Sequence, residues 1–289
     1  MPEAAVSLMI DGRERDLGDG FTVRRILPVA RRRSVGPFVF LDQIGPARIP
    51  AGEGLDVRPH PHIGLATITY LFEGVITHRD SLGVEIDIRP GELNWMVAGA
   101  GVVHSERSPA ADRAVDSSLW GMQAWVALPQ DQEEVAPSFA HYEGSQIERW
   151  MEGDAEVTLI AGSAFGRTSP VVCNSPTLYL AVHLPAGSCL PVPDATERAV
   201  YCVAGSLSVN GTPLAAGQMA VLEPGEAMVA AAGDSRVMIL GGDPLDGPRT
   251  IWWNFVSSRP QRIEQAKADW KAGLFAGVPG ETEFIPLPE

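Results

Sequence analysis

Thirty glycines and 24 prolines in 289 residues are the strongest constraint on what this chain can become. Both residues interrupt helices, and both serve tight turns. Between them lie short apolar or alternating runs: TITYLFEGVITH, VEIDI, LNWMVAG, LWGMQAWVAL, VTLIAG, TLYLAVHL, AVYCVAGSLSVNG, QMAVL and RVMILGG. Runs of that length, bounded by Gly, Pro, Asp and Asn, predict the strands of sandwiches or barrels and exclude a helix bundle. One helix is expected late. Ser257 and Ser258 are candidate N-caps, Pro260 suits the first turn, and RIEQAKADWKAGLF follows with helical spacing. A further helical turn is expected near Gln130–Glu134.

Glycines also mark an internal repeat. Gly54, Gly74 and the Pro90–Gly91 step before LNWM are echoed by Gly187, Gly205 and Gly217 before QMAVL. The chain therefore reads as two all-β units of one plan: residues 1–130, a polar connecting segment 131–155, and residues 156–289 with the terminal helix. An apolar content of 45% against 20% charged residues is a globular balance.

A net charge of −14 sets a repulsive field against phosphate backbones and anionic lipid, so neither nucleic acid nor a membrane surface is an expected partner. No apolar run reaches the ~20 residues that span a bilayer. The opening MPEAAVSLMIDGRERDL has neither a basic nor an apolar leader region. Three cysteines, Cys173, Cys189 and Cys202, form no CxxC pair. The expectation is a reducing, cytoplasmic setting without a disulfide or thiolate zinc.

The chemistry concentrates in GLDVRPHPH and GAGVVHSER. On extended backbone, residues i and i+2 face the same way. His60 and His62 thus present two imidazoles to one side, and His104 and Glu106 repeat the spacing. Pro59 and Pro61 cannot donate to a sheet, so this stretch is expected at an edge or barrel mouth. Facing one another, the two pairs make a cage of three imidazoles and one carboxylate. Imidazole serves Fe, Ni, Cu, Zn and Mn, and four protein ligands on an octahedral ion leave two open positions. His78, in THRDSLG, is expected in a turn or at the surface, and His141 and His183 are expected to carry no function. Trp95, Met96 and Val102 are candidate pocket walls or ordinary core.

These residues carry a resemblance. GLDVRPHPH resembles the first cupin motif, with Gly74 at its end, but Ala66 or Thr67 stands where a glutamate is expected. PGELNWMVAGAGVVH is similar to the second motif, and Glu106 could supply the missing carboxylate. With that exchange the chain resembles the pirin family, through RPHPHIGLATITYLFEG, HRDSLG, MQAWVALP, SPTLYLAVHLPAG, GGDPLDGP and the IWWNFVSSRPQRIEQAKADWKAGLF ending.

The resemblance implies a bicupin: two jelly-roll β-barrels and a short C-terminal helix. It implies one divalent metal in the N-terminal barrel on His60, His62, His104 and Glu106. Iron(II) is the first choice, with nickel, copper, zinc or manganese as alternatives. The second barrel is expected to be metal-free, with apolar or small residues near Pro193, Ala195 and Ala230 in place of ligands. The implied activity is quercetin 2,3-dioxygenase-type: a flavonol or other chelating small molecule reacts with dioxygen, and Glu106 acts as general base. The alternative is a metal- and redox-dependent regulator acting through a partner protein. Ile63, where animal pirins have arginine, and the lack of a basic import run count against transcription co-regulation.

Overall fold

The computed structural model describes residues 3–16 and 21–288. The stretch read for a leader includes Met1, Pro2 and Leu17, which lie outside them. The described residues are mostly strands, with a short helix Ala110–Arg113 and a longer one, Pro260–Lys271. The turn expected near Gln130 is the 3-10 turn Gln130–Gln132. Among the described residues, no helix is long and apolar enough to cross a membrane.

The chain forms two compact units. One comprises residues 15–23, 44–144 and 245–289. The other comprises 1–14, 24–43 and 145–244. This partition differs from a sequential cut at 130 and 155: residues 1–14 and 24–43 go with the later unit, and residues 245–289 go with the earlier one. The strand Val6–Asp11 pairs with Gln218–Leu222, so the first residues complete the sheet of the later barrel. The terminal helix belongs with the earlier one. There Ile263 and Ala266 are buried with Ile63 and Phe255 in one apolar cluster, flanked by Trp252, Trp253 and Trp270.

Each unit contains a four-stranded antiparallel sheet of identical connectivity. In the first, the order is Asp56–His62, Val102–Arg107, Ile76–Asp80, Glu85–Ile88; in the second, Cys189–Pro191, Met228–Ala231, Ser206–Val209, Thr212–Ala215. In both, the first strand pairs with the fourth, the fourth with the second, and the second with the third. This shared order is the structural content of the glycine repeat. In the later barrel, Leu190, Leu207, Val209, Val229 and Ala231 from these strands join the apolar core. Ala230 does sit on the strand equivalent to that of His104. Pro193 and Ala195 lie beyond the equivalent of the His60 strand, which is Cys189–Pro191.

The earlier unit adds a larger sheet in which Ser138–Tyr142, Leu93–Val97, Leu65–Glu73 and Ser117–Ala127 lie side by side. Asp56–His62 is an edge strand, as two prolines without N–H groups require. Its register slips between His104 and Glu106: His104 faces His60, whereas Glu106 faces Val57. That bulge accommodates Pro59 without an unfilled ladder position.

The terminal helix starts differently from its sequence signature. Pro260 occupies the first turn, but the residue before it, Arg259, caps without a side-chain bond. The Ser257 and Ser258 hydroxyls donate instead to the Glu133 carboxylate, at 2.8 and 3.1 Å. Glu133 also forms a 2.9 Å ion pair with Arg249, both side chains being 1% exposed. Removing Glu133 leaves the buried Arg249 guanidinium with only the half-exposed Asp246 as its carboxylate partner. Glu133→Ala is therefore expected to lose about 3–5 kcal/mol of stability. Equilibrium urea unfolding followed by the fluorescence of the seven tryptophans, three of which flank this helix, measures this.

Candidate metal centre

In antiparallel sheets, directly paired residues project to the same face. Val102 pairs with His62 and His104 with His60. Across the other edge of the same strand, His104 pairs with Asp80 and Glu106 with His78. Three neighbouring strands thus turn His60 and His62, His104 and Glu106, and His78 and Asp80 to one face. All six side chains are buried.

Among the described residues, His60, His62 and His104 form a group whose ligand atoms lie within 4.8 Å of one another. Their ring centroids are 4.4–5.0 Å apart. His60 Nδ1 lies 2.9 Å from the Arg58 carbonyl. A carbonyl only accepts, so that nitrogen carries the proton and Nε2 keeps its lone pair. The Nε2 atoms of His62 and His104 face each other at 3.1 Å. Two imidazoles bound cis to an octahedral ion at ~2.1 Å would stand about 3.0 Å apart. His62 Nδ1 is buried and has no hydrogen-bond partner. A cation between the Nε2 atoms would free His62 to carry its proton on Nδ1. The donor set therefore fits a divalent ion.

Electrostatics favour the same state. Burial, reinforced by the neighbouring rings, holds His62 and His104 well below the ordinary imidazole value of 6.5. His60 is lowered too, chiefly by burial, with the Arg58 carbonyl and the Glu106 charge acting in the opposite direction. Neutral imidazoles are the ligating form.

Glu106 lies on the same face but outside the three-histidine group. Its carboxylate accepts from Gln123 Nε2 at 2.9 and 3.1 Å and from Thr69 Oγ1 at 3.2 Å. Thr69 and Gln123 are register partners on the larger sheet. Neither was found by sequence reasoning, because nothing local ties a lone Gln or Thr to a carboxylate on another sheet. Trp125, two residues beyond Gln123, packs edge-on against His62 at 5.2 Å.

His78 is a correction. It is buried in the strand Ile76–Asp80, not in a turn or at the surface, and it touches His104. The sequence did hold a signal: HRD repeats the i, i+2 spacing of the other two pairs. His183 lies in the other unit, bonded to Asp234, and His141 is bonded to Asn94, the register partner of Thr69, outside the three-histidine group. Of the candidate walls, Val102 shares the face of His62, and Met96, paired with Thr67, lies on the Trp125 face. Trp95 pairs with Ile68 and points to the opposite face.

Two cupin barrels, one bearing a buried histidine cluster, define a bicupin of the metal-binding type. Residues 20–126 match the Pirin family model and residues 179–276 the Pirin C-terminal cupin domain. A pirin-like protein of Caulobacter vibrioides is 51% identical, with 98% of this chain and 100% of that protein covered. A crystal structure of quercetin 2,3-dioxygenase from Acinetobacter baumannii superposes with a TM-score of 0.91 at 32% identity, covering 98% of this chain and 95% of that one. The fold is shared at 19% identity with a bacterial pirin of Escherichia coli solved in complex with nickel(II) (TM-score 0.64, 82% of this chain and 99% of that one). The chain belongs to the pirin family.

The lowered histidines fix a pH dependence. Their native values lie below the unfolded value of about 6.5, so below that pH the unfolded chain binds protons that the native state refuses. The metal-free protein is expected to hold this stability above pH ~6.5 and to lose it as pH falls. Melting temperatures scanned across that range check this, and the slope should be shallower in His62→Phe.

Proposed function

We propose that this chain catalyses quercetin 2,3-dioxygenase-type ring opening of a flavonol, with one divalent ion held by His60, His62 and His104 and with Glu106 as proton acceptor. The observation that carries this reading is the convergence of three buried, neutral imidazoles beside a tethered carboxylate. The likeness to the Acinetobacter baumannii enzyme supports it. Iron(II) suits the donor set and dioxygen chemistry best; nickel, copper, zinc and manganese also accept imidazole.

A bound ion would acidify a phenolic hydroxyl and provide a route for electrons to dioxygen. The chain's own residues do the rest. Glu106 takes the proton of the flavonol 3-hydroxyl, returns it to the ring-opened product, and is the candidate fourth ligand. Gln123 and Thr69 hold its carboxylate on the ligand face by donating to it. Burial keeps the imidazoles neutral, and Trp125 fixes the ring of His62. Both atoms of dioxygen enter the product, and carbon monoxide leaves with the carbon between the two cleaved bonds. The three unpaired cysteines fit a reducing cytoplasmic site of action.

The test is anaerobic purification, metal analysis, then oxygen uptake and carbon monoxide release with quercetin and a panel of flavonols and catechols. His62→Ala and His104→Ala are expected to lose both metal and turnover. Glu106→Gln should retain most metal while turnover falls about 10²–10⁴-fold, the usual contribution of a positioned base. Full activity with metal bound in His62→Ala would remove the assignment. Metal binding without oxygen uptake would turn the reading toward a partner-binding regulator.

A further inference from the structure

We infer that His78 and Asp80 are positioning residues: a buried Asp80–His78–His104 chain fixes the tautomer of His104 and aims its Nε2 lone pair into the metal centre. This rests on the metal-site reading above and adds two residues to it.

With Asp80 as a carboxylate and His78 as a neutral imidazole, the chain of hydrogen bonds permits one assignment of protons. Asp80 is fully buried. Its Oδ1 accepts from the backbone N–H groups of Leu82 and Val84, at 2.9 and 3.1 Å. Its Oδ2 lies 3.1 Å from His78 Nε2. An ionised carboxylate only accepts, so the His78 proton sits on Nε2 and Nδ1 bears a lone pair. That Nδ1 faces His104 Nδ1 at 3.4 Å. The acceptor there is His78, so His104 carries its proton on Nδ1, and its Nε2 is left bare opposite His62. Phe139 stacks on the His78 ring at 4.5 Å and 25° and holds its plane. Register does the placing: His104 is paired with Asp80 and flanked by His78.

A carboxylate behind a ligating histidine orients the ring and raises its basicity. Here the carboxylate acts through an intervening imidazole. The Asp80 backbone bonds also shape the turn at 80–84, where Gly83 N donates to the Asp80 carbonyl, so a test must separate the turn from the relay.

Asp80→Asn does so. The two backbone N–H groups need an oxygen, which orients the new amide with its NH₂ toward His78. That reverses the chain: His78 Nε2 must accept, its Nδ1 becomes a donor, and His104 can no longer donate to it. The probe is cobalt(II), titrated against a chromophoric chelator, with the cobalt absorption spectrum and the metal-free melting temperature as further readouts. Asp80→Asn is expected to bind cobalt about 10–100-fold more weakly than wild type, with an altered spectrum and little change in the metal-free melting temperature.

A second pair guards against misfolding. His78→Gln can offer its amide N–H to Asp80 and its oxygen to His104, and should hold affinity within about threefold, whereas His78→Phe has no acceptor and should show the full 10–100-fold loss. Wild-type cobalt affinity and spectrum in both Asp80→Asn and His78→Phe would overturn the relay and leave the metal site standing. Equal losses in His78→Gln and His78→Phe, tracking melting temperature, would also overturn it in favour of a packing role. No cobalt binding by the wild type would bring down the metal site and the relay together.

Discussion

The two-residue repeat of an extended strand, multiplied across three hydrogen-bonded neighbours, is the constraint on which this site depends. One strand can present two side chains to a barrel interior. Three strands in fixed antiparallel register present six, and here all six are imidazole or carboxylate groups, five of them in contact with at least one other member. Such a concentration of titratable groups would repel itself if charged. Burial instead holds the ligand histidines neutral, which is the state a divalent ion needs.

Backbone chemistry at the edge makes this placement possible. Pro59 and Pro61 leave two positions without N–H donors, which a central strand could not absorb and an edge strand can. The bulge opposite Ser105 then shifts the partner of Glu106 from where strict pairing would put it. The carboxylate is consequently met by Gln123 and Thr69 from the larger sheet rather than by the three histidines. Both barrels use the same strand connectivity, but the later one fills the equivalent face with Leu, Val and Ala. The contrast shows how the same scaffold is committed either to packing or to a polar site by a handful of side chains.

The C-terminal segment closes the earlier unit through both kinds of interaction. Ile63, immediately after the ligand strand, is buried against Phe255 and Ile263, and its carbonyl accepts from Val256 N–H at 3.2 Å. Further on, Glu281 accepts from Ser105 and Arg107 on the ligand strand's outer side. An apolar residue at position 63 is thus part of how the helix is seated. The sequence places that helix correctly because its spacing and Pro260 are local signals, yet assigns it to the wrong barrel because docking is not local.

By itself the sequence determined the class of fold, the repeat, the edge position of HPH and the identity of the three clustered histidines. All of these follow from turn residues and a period of two, which act over a few positions. The tertiary structure alone decided which strands become neighbours. Pairing between Val102–Arg107 and Ile76–Asp80 turned His78 from an apparent loop residue into the partner of His104, and it gave Glu106 its tether on another sheet. It also carried the first strand into the later barrel. Register between distant segments depends on the burial of whole faces, and no short stretch of residues encodes that.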